Sequence, residues 1–523
     1  MEKSQLKIKI KRLLYIVVLL VIITILIFLF ENRVNGNIKN IFDGIWFLFV
    51  TISTVGYGDA YPVTTIGRIL TLLLILSTPV LLIQILSLVK DLFAGSLLPQ
   101  FALILNSNKN WYIFDELNEK SLKLIVDINE KFGKDSIIIY KSIDKEYYLS
   151  GLYNLPKSKH LLYYDIHYSD TLNSKKNVKI FLTSANSESS NYITAKEIEE
   201  TAQKANKQVD IYITSNYSYD FYSNSIHIVN QNKMITQVFL MNFSKKLSDE
   251  KILIIGNNKL TEYIFEALIV NNVYDENQKN EYYILTKDNN FKNYYRNIIR
   301  HLNDQEEFKD KVTILEDSYS DPNIIKAANI IILCDSDKYN LETLNYINKF
   351  YSNNAKIYIK NQYALNLYQI NCETFGDVGN LFLYDNVVNE RIYKNAKKLN
   401  EIYREKYGGP IWNELTPFKK ESNVVTCNHI KMKKILIDKL STDSLEDNYI
   451  NKFNKLSDND KYKLYKIEHE RWCRFHYIYN WEYSKERNDE NRKHNLLVPF
   501  NQLSDKEKEK NKEAYECIDS FIS

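Results

Sequence analysis

Two long apolar runs, both before Lys90, constrain the fold of this chain more than any other feature. Residues 13–30 are apolar apart from Tyr15 and Thr24, and a second run covers about residues 69–89. Because about 20 apolar residues in a helix cross the roughly 30 Å hydrocarbon core of a bilayer, each run predicts a membrane-spanning helix. A cleavable signal peptide is the alternative for the first run, but no small-residue cleavage site follows it and a second span comes soon after.

Basic residues around the first run predict its orientation. Only Arg33 and Lys39 lie between the end of this run and the segment that begins at residue 41, whereas five basic residues precede it. These five are Lys3, Lys7, Lys9, Lys11 and Arg12. By the positive-inside rule the N-terminus is cytoplasmic. Two spans return the chain to the same side, so we expect both termini in the cytoplasm and the protein in a bacterial plasma (inner) membrane.

The rest of the chain has the mixed charge and alternating hydrophobicity of soluble protein. A length of 523 residues exceeds what one core supports and predicts three or four domains. The formal net charge of +3 gives no field that would attract nucleic acid, which we do not expect as a partner. Five widely spaced cysteines form no C-x-x-C pair, and this favours buried, reduced thiols over a zinc site.

A short apolar segment and a glycine-containing pentapeptide lie between the two spans. Residues 41–53 (IFDGIWFLFVTIS) are too few to cross a bilayer, so they predict a re-entrant helix. The sequence Thr54-Val55-Gly56-Tyr57-Gly58 follows, and then Asp59. Glycine tolerates the left-handed backbone angles that allow successive carbonyl groups to point the same way. Thr54 can add its hydroxyl as a further oxygen ligand.

This pentapeptide resembles the selectivity filter of potassium channels. The resemblance implies that K⁺, the permeant ion, is held by carbonyls of four residues, with Asp59 at the pore mouth. Those four residues are Thr54, Val55, Gly56 and Tyr57. It also implies that Val55 and Tyr57 pack against the pore helix, near Trp46 and Phe47. Since one loop supplies a quarter of such a cage, the resemblance further implies a homotetramer in the lipid bilayer.

Polar residues recur on one face of the second span. Their spacing of three or four residues places them in one stripe, which predicts the lining of the inner pore. The stripe contains Ser77, Val80, Gln84, Ser87 and Asp91. Hydrogen bonding between neighbouring helices is the alternative. Pro79 lacks a backbone donor and predicts a kink or hinge in this helix.

The next part of the chain alternates strand and helix patterns twice. The first set of predicted strands covers residues 111–114, 136–140, 178–183 and 209–214, with helices at 119–132 and 191–206. The second set covers residues 251–255, 282–286, 312–315, 330–334 and 356–359. Asn191 and Asn340 follow equivalent strands, which indicates duplication of one domain. The pattern predicts two α/β Rossmann-like domains, 108–250 and 251–388, after a linker at 95–107.

Tandem Rossmann-like domains directly behind an inner helix resemble the RCK (regulator of K⁺ conductance) domains of bacterial potassium channels. The resemblance implies a cytoplasmic ring whose ligand-driven widening pulls on the inner helices. We expect no dinucleotide here, because residues 115–118 (DELN) replace the glycine turn of the first domain and only Gly256 survives in the second. Thr286 and Lys287 stand where an acid would bind a ribose. Calcium or sodium sites in these domains are kept as an alternative.

The C-terminal residues 389–523 predict a mostly helical domain with long helices at 390–407 and 458–479. The segments Glu468-His469-Glu470-Arg471-Trp472, Asn480-Trp481-Glu482-Tyr483 and Lys493–Phe500, with Leu503-Ser504, resemble the ryanodine-receptor repeat (RyR) domain over about residues 460–520. Asn480 replaces a usual glycine. Trp412 and the pair Ser422-Asn423 resemble its flanking helices.

The resemblance to prokaryotic proteins with an RyR domain implies that this module binds a nucleotide signal, often in antiphage or stress contexts. The aromatic side chains suit base stacking and the basic ones suit phosphate binding. The candidate ligand-binding residues are Arg471, Trp472, Trp481, Tyr483, Arg492, Lys493 and His494. Simple core packing of both tryptophans is the alternative. No catalytic residues are proposed, because His469 and His494 have no acid or nucleophile at a recognisable spacing.

The sequence therefore predicts a membrane α part (residues 13–94, with the filter at 54–58) after a cytoplasmic N-terminus (1–12). Two α/β Rossmann-like domains and a mostly α C-terminal domain follow. The predicted function is a ligand-gated, tetrameric potassium channel that is not an enzyme. We expect its gating ligand on the cytoplasmic side to be a small molecule of the nucleotide type or an ion, and no cofactor is assigned. One alternative is an ion-gated channel whose C-terminal module docks a protein. The other is a membrane-anchored nucleotide-processing enzyme.

Overall fold

The computed structural model describes residues 3–34, 36–93, 105–141, 161–163, 168, 174–184, 188–216, 223–243, 247–315, 322–351, 354–362, 372–441 and 446–521. Side chains of residues 3–10, 88–93 and 161–163 are outside this description. Most of the linker predicted at 95–107, including Gly95 to Pro99, also lies outside the described residues. The chain divides into two compact units, one of residues 1–111 with 161–177 and one of residues 112–160 with 178–523.

The first unit contains three apolar helices. They are Lys3–Asn32, Ile41–Ile52 and Thr65–Phe93. Within the described residues, Lys11–Asn32 and Thr65–Ser87 are long and apolar enough to cross a membrane. Their mutual contact buries Leu20, Ile27 and Leu74, and Phe47 of the short helix joins the same cluster. Three helices form where the apolar runs predict them, although the first begins at Lys3, well before the run that starts at residue 13.

The second unit begins with an α/β domain. Its strands are β1 (Asn110–Phe114), β2 (Ser136–Tyr140), β3 (Leu161–Tyr163), β4 (Val178–Leu182), β5 (Val209–Ser215) and β6 (Ile226–Asn230), although β3 and the start of β1 are counted in the first unit. Within the second unit the strand order is β2-β1-β4-β5-β6. The pairs β4·β5 and β5·β6 are parallel. The helices are Glu119–Phe132, Glu188–Lys204 and Gln231–Asn242.

A second α/β domain repeats this plan. Its strands are β7 (Lys251–Ile255), β8 (Glu281–Leu285), β9 (Lys311–Leu315), β10 (Ile330–Leu333), β11 (Lys356–Lys360) and β12 (Cys372–Phe375), in the order β12-β11-β10-β7-β8-β9. Its helices are Lys259–Asn271, Phe291–Tyr294, Arg296–Asp304, Pro322–Ala327 and Asp337–Phe350. The order reverses beside β7, as in Rossmann folds. The predicted strands form in both domains, whereas β3, β6 and β12 were not predicted.

The two asparagines that suggested duplication occupy equivalent places. Asn191 donates to the carbonyl of Ser184 at 2.9 Å, directly after β4. Asn340 donates to the carbonyl of Asp335 at 2.9 Å, directly after β10. Each amide therefore fixes the same loop between the fourth strand of its domain and the following helix.

The two α/β domains exchange their final segments. Helix Gln231–Asn242 follows β6 of the first domain, but its Phe239 packs on Phe375 and Tyr358 of the second, with ring centroids 4.9 and 5.5 Å apart. In return, the segment after β12 reaches the first domain, where Tyr384 donates its backbone N–H to Asp127 at 2.6 Å. Short helices Val378–Leu381 and Tyr384–Val387 form this returning segment. Each domain therefore completes the surface of the other.

The C-terminal part is mostly helical. Its helices are Lys394–Tyr407, Pro417–Asn428, Ile430–Leu440, Tyr449–Lys455, Asp458–Ile478, Asp505–Glu509 and Glu513–Glu516, with a short pairing of β13 (Glu482–Tyr483) and β14 (Lys493–His494). Buried Leu399, Phe453, Leu464 and Tyr515 form its core together with Val273 of the second α/β domain. The core is therefore continuous with that domain.

Candidate functional site

The pentapeptide begins where the short apolar helix ends. Asn40 and Asp43 form a reciprocal capping box that fixes the start of helix Ile41–Ile52. At the other end, the backbone N–H of Thr54 donates to Thr51 at 3.1 Å, and the N–H groups of Val55 and Gly56 donate to Val50 at 3.1 and 3.3 Å. The carbonyl end of a helix carries partial negative charge. This end therefore lies next to Thr54 and favours a cation there.

Left-handed backbone angles occur at every second residue of the pentapeptide. Thr54, Gly56 and Gly58 have φ values of 59°, 60° and 75°. This alternation turns successive carbonyl groups towards one side of the strand, as a row of ion ligands requires. A Cβ atom at Gly56 or Gly58 would meet nothing within 4 Å, so the backbone angle, not space within the chain, requires glycine there. The angle at Thr54 was not anticipated from the sequence.

Aromatic stacking and one hydrogen bond attach the pentapeptide to the short helix. The rings of Trp46 and Tyr57 stack with centroids 6.0 Å apart and planes 4° apart. The indole N–H of Trp46 donates to Asp59 at 2.8 Å. The predicted partner Phe47 instead lies in the core between the spans, because its position on the helix faces Leu20 and Leu74. Trp46 alone of the two expected aromatic residues contacts Tyr57.

A buried carboxylate was missed by sequence reasoning. Glu31, fully buried, accepts hydrogen bonds from the backbone N–H groups of Val63 and Thr64 at 2.9 and 3.0 Å, and from the Thr64 hydroxyl at 2.6 Å. A Cβ atom at Gly36 or Gly67 would stand 2.4 Å from a Glu31 carboxylate oxygen. These glycines therefore make room for the carboxylate. Its signal in the sequence was a lone acid at the end of an apolar run.

The predicted pore-lining stripe lies on helix Thr65–Phe93. Leu74, Thr78 and Leu81 are the buried side chains of this helix, whereas Val80 is half exposed. At 3.6 residues per turn, the stripe through Ser77, Val80, Gln84 and Ser87 lies about 100° from the buried face. The Asp91 side chain is outside the described residues. The helix continues through Pro79, and the Thr78 hydroxyl donates one turn back to the carbonyl of Leu74 at 3.1 Å.

In the first α/β domain, a carboxylate fills the crevice at the carboxyl ends of the strands. Asp115 accepts hydrogen bonds from the N–H groups of Thr183 and Ser184 at 2.8 and 3.0 Å. Burial raises the pKa of this carboxyl group despite these bonds. In the second domain, Asp335 bonds the N–H of Asn257 at 2.9 Å in the same place. Side chains thus occupy both points where a Rossmann fold would place a pyrophosphate.

Gly256, the surviving glycine of the second domain, is required by close packing. A Cβ atom there would lie 2.3 Å from the hydroxyl of Thr261 and 3.3 Å from Cys334. Its role is therefore the approach of helix Lys259–Asn271 to the sheet. Among the described residues, no group of three or more His, Cys, Asp or Glu side chains is arranged to hold a metal ion.

Helix Asp458–Ile478 is joined to the second α/β domain by buried charges. Arg474 is fully buried and lies 2.7 Å from both Asp310 and Glu470. Glu470 in turn lies 3.1 Å from the imidazole of His301. Burial alone would raise the pKa of Glu470, but His301 and Arg474 outweigh it and lower that pKa strongly. Removing one partner of such a network leaves an unpaired buried charge. The contact between the helix and the domain therefore depends on all of these charged side chains.

Arg471, a predicted phosphate ligand, points into the helical core instead. Its guanidinium donates to Glu468 at 2.8 and 3.0 Å, and Lys433 lies 2.9 Å from the same carboxylate. Burial raises the pKa of Glu468, but the charges of Arg471 and Lys433 have the larger effect and lower this pKa to about 2. The prediction failed because Arg471 and Trp472, adjacent in sequence, lie on different faces of one helix.

A cavity of about 920 Å³ lies between the helical module and the second α/β domain. Four of the seven predicted ligand-binding residues line it: Trp472, Trp481, Arg492 and His494. Lys493 instead pairs with Glu482, and Tyr483 is exposed. Trp412 packs against Tyr393, with ring centroids 6.4 Å apart.

The rest of the cavity lining was not predicted. Helices Gln231–Asn242 and Lys259–Asn271 contribute Lys233, Lys259, Tyr263 and Glu266, and the module contributes Phe418, Lys419, Ser422, Asn423, His476, Tyr479, Arg487 and Asp489, among others. Burial raises the pKa of Glu266 to about 7. No sequence signal linked these distant segments, because two domains must pack before the cavity exists.

Aromatic rings form one wall of this cavity. Trp481 stacks on Phe418 at 5.2 Å, and Trp472 lies 4.0 Å from the ring of His476. Asn480 adopts a φ of 58°, an angle that asparagine tolerates better than most residues, and donates to the Tyr294 carbonyl at 2.9 Å. This explains why a glycine is usual at that position and why Asn480 can replace it.

Comparison with known families finds a match at each end of the chain. Residues 14–94 match the ion channel family, and residues 452–523 match the RyR domain. One chain is thus similar to the ion channel family near its start and to the RyR domain near its end. The RyR match includes the whole of helix Asp458–Ile478 and most of the aromatic wall, while the ion channel match includes both spans and the pentapeptide.

Among curated proteins, short segments are similar to potassium channels. The calcium-gated potassium channel of Thermoplasma volcanium is 45% identical over 51 residues, which cover 10% of this chain and 15% of that protein. The voltage-gated potassium channel of Aeropyrum pernix is 44% identical over 43 residues, covering 8% of this chain and 15% of that protein. The chain thus spans less than a fifth of the length of these relatives.

Among solved structures, the GsuK channel covers 74% of this chain and 99% of its own, with 13% identity and a TM-score of 0.42. The GsuK channel bound to ADP covers the same shares, with 12% identity and a TM-score of 0.41. Both scores lie below 0.5, so no functional conclusion follows from them.

Proposed function

We propose that this chain is one subunit of a potassium-selective channel with both termini in the cytoplasm. One observation carries this proposal: left-handed backbone angles recur at Thr54, Gly56 and Gly58 of a potassium-filter sequence. That geometry presents carbonyl oxygens to one side, where they replace the water shell of K⁺. The ion channel match over residues 14–94 supports it.

We propose a homotetramer, because one loop supplies only one row of carbonyls. The apolar surface of the first unit supports assembly: Phe42 and Phe49 on the short helix are 77% and 66% exposed in the single chain. Neighbouring subunits and lipid would cover these rings. The stripe of Ser77, Val80 and Gln84 then faces the central axis.

We propose that a cytoplasmic nucleotide gates this pore by binding in the cavity beside the RyR domain. The cavity joins stacking surfaces, Trp472 and Trp481, to cations such as Arg487, Arg492 and Lys259. Aromatic rings bind bases and guanidinium groups bind phosphate oxygens. Because two domains line the cavity, a ligand changes the free energy of their contact, and the α/β domains carry this change to the linker. An antiphage or stress role is part of this proposal.

The test is K⁺ flux from proteoliposomes that contain the purified full-length protein, with and without a panel of nucleotides. Gly56→Asp should abolish flux, since it places a side chain and a charge at a left-handed filter position. Gly408→Asp is the matched control, because Gly408 also has positive φ and open space but lies in the soluble module. If both variants still conduct K⁺, the proposal that this pentapeptide forms the filter is wrong.

The proposed gating by a nucleotide is tested with separate variants. Arg492→Gln should weaken the response to the active nucleotide about tenfold, through loss of one charged hydrogen-bond donor. Arg404→Gln, exposed on helix Lys394–Tyr407 and outside the cavity, should change nothing. Flux that no nucleotide changes would leave the channel intact and favour the alternative, in which ions gate the pore and the module docks a protein.

A further inference from the structure

Two histidines of the cavity lining are almost completely buried. His476 is 6% exposed and His494 is 5% exposed, and both line the 920 Å³ cavity. Their ring centroids are 5.7 Å apart. His476 lies on helix Asp458–Ile478 and His494 on β14, so two separate elements bring the rings together.

Backbone hydrogen bonds fix the two rings in opposite tautomers. Nδ1 of His476 lies 2.9 Å from the carbonyl oxygen of Trp472. A carbonyl only accepts, so this Nδ1 carries the proton and Nε2 keeps a lone pair. Nδ1 of His494 accepts from the N–H of Leu496 at 3.1 Å. An amide only donates, so the proton of His494 is on Nε2.

Both rings are neutral at physiological pH. Burial lowers the pKa of His476 to about 3. Burial, followed by the charge of Arg487, lowers the pKa of His494 to about 4. Within the described residues, neither Nε2 atom has a hydrogen-bond partner, and neither is among the buried atoms that lack one, so both are accessible from the cavity. The cavity thus contains one unused acceptor and one unused donor.

We propose that His476 and His494 read the edge of a planar heteroaromatic base, on which a donor group stands next to an acceptor. The inference rests on the proposed nucleotide site and names its specificity-determining pair. Nε2 of His476 accepts from an exocyclic amino group, and Nε2–H of His494 donates to the adjacent ring nitrogen. Trp472, whose ring centroid is 4.0 and 4.9 Å from the two imidazoles, flanks the base.

The probe pair is AMP and purine riboside 5′-monophosphate, which has the same ring, ring nitrogens and phosphate but no amino group. Calorimetric titration of the purified full-length protein should give AMP at least tenfold tighter binding. Loss of a partner for one buried polar atom is sufficient for that ratio, because about 1.4 kcal/mol corresponds to tenfold in affinity.

Two variants separate the two roles. In His476→Phe, AMP should lose its advantage and the two ligands should bind within twofold of each other. In His494→Phe, both ligands lose a partner for the ring nitrogen, so both should weaken while their ratio persists. The matched control is His469→Phe, since His469 is equally buried on the same helix but bonds the Val498 carbonyl at 2.8 Å and does not line the cavity.

The outcomes are distinct. Equal binding of AMP and its analogue by the wild-type protein would overturn the base-reading pair but leave the nucleotide site. Absence of binding by AMP, GMP, CMP and UMP would overturn the proposed nucleotide site and the pair with it. A melting temperature is recorded for each variant, and if His476→Phe does not fold, His494→Phe still tests the pair, because unweakened binding of both ligands by this variant would overturn it.

Discussion

At the scale of single residues, the backbone around the proposed filter is fixed by a few side chains outside the pentapeptide. Trp46 contributes both a ring that stacks on Tyr57 and an N–H that bonds Asp59. Glu31 holds the start of the inner helix through three donors. Neither residue supplies an ion ligand, yet each fixes backbone that precedes or follows the filter.

Trp46→Phe keeps the aromatic ring and removes only the N–H donor to Asp59. A hydrogen bond to a charged acceptor stabilises by about 1.5–3 kcal/mol, so we expect K⁺ flux to fall about tenfold. Trp412→Phe, in the soluble module, is the matched control and should conduct normally. Proteoliposome flux measures both, and an unchanged flux in Trp46→Phe would show that this bond does not support the filter.

Glu31→Gln replaces an acceptor oxygen with an N–H₂ group that faces backbone donors. We expect the solubilised protein to lose about 2–3 kcal/mol of stability per subunit, because buried donors lose their partner. The melting temperature of the solubilised protein measures the loss. Glu130→Gln, exposed on helix Glu119–Phe132, provides the comparison and should be neutral.

Sequence reasoning anticipated features whose signal is local and missed those in which two segments must meet. The short helix before the pentapeptide and helix Glu119–Phe132 follow from the apolar pattern of nearby residues. Arg471 was misplaced because spacing along the chain does not say which face a helix buries. Lys259 and Phe418 were missed, since no pattern in one dimension indicates that they share a cavity.

At the scale of elements, helix Asp458–Ile478 organises the C-terminal module. One of its faces carries Glu468 and Arg471 into the module core, and another carries Glu470 and Arg474 to the second α/β domain. A third exposes Trp472 and His476 to the cavity. The helix therefore connects the core, the domain contact and the cavity.

Arg474→Met should weaken the attachment of this helix to the second α/β domain. Loss of one partner from a buried ion pair costs about 3–5 kcal/mol. Limited proteolysis should then release the module faster than in the wild type. Lys463→Met removes an exposed ion pair on the same helix, worth about 0–1 kcal/mol, and should leave the cleavage rate unchanged. Equal rates in all three proteins would contradict the role of Arg474.

Acid should destabilise the module through Glu468. Its pKa is lowered to about 2 in the fold, against 4.5 ordinarily. The stabilisation is thus complete above about pH 4.5 and is lost as the pH falls towards 2, by roughly 3 kcal/mol. Urea unfolding from pH 7 to 3 should show this slope, and Glu468→Gln should flatten it. Glu486→Gln, on an exposed loop, should retain the wild-type slope.

At the scale of the whole molecule, the exchange of final segments joins the two α/β domains. Helix Gln231–Asn242 belongs in sequence to the first domain, packs on the second and supplies Lys233 to the cavity. A movement at the cavity therefore reaches both domains through one helix. The returning segment around Tyr384 makes the reciprocal contact, because it follows the second domain in sequence and bonds Asp127 of the first.

Phe239→Ala should separate ligand binding from gating. Removal of this buried ring costs about 3–5 kcal/mol and loosens the packing of the exchanged helix on the second domain, while Phe239 itself does not line the cavity. We expect nucleotide affinity within threefold of the wild type but a flux response reduced at least fivefold. Phe350→Ala, at an exposed ring, is the control. A full response in Phe239→Ala would show that the exchange does not transmit the signal.

If the cavity that two domains line together gates the channel as proposed, the state of the pore can also be measured at the cavity. If a nucleotide favours one arrangement of its walls by some factor, the conducting state of the channel must change nucleotide affinity by that same factor, since coupling between two sites is reciprocal. A blocker that holds the pore in one state would then alter the dissociation constant measured at the soluble module. An equilibrium binding assay alone, without any ion current, would report whether the pore is open.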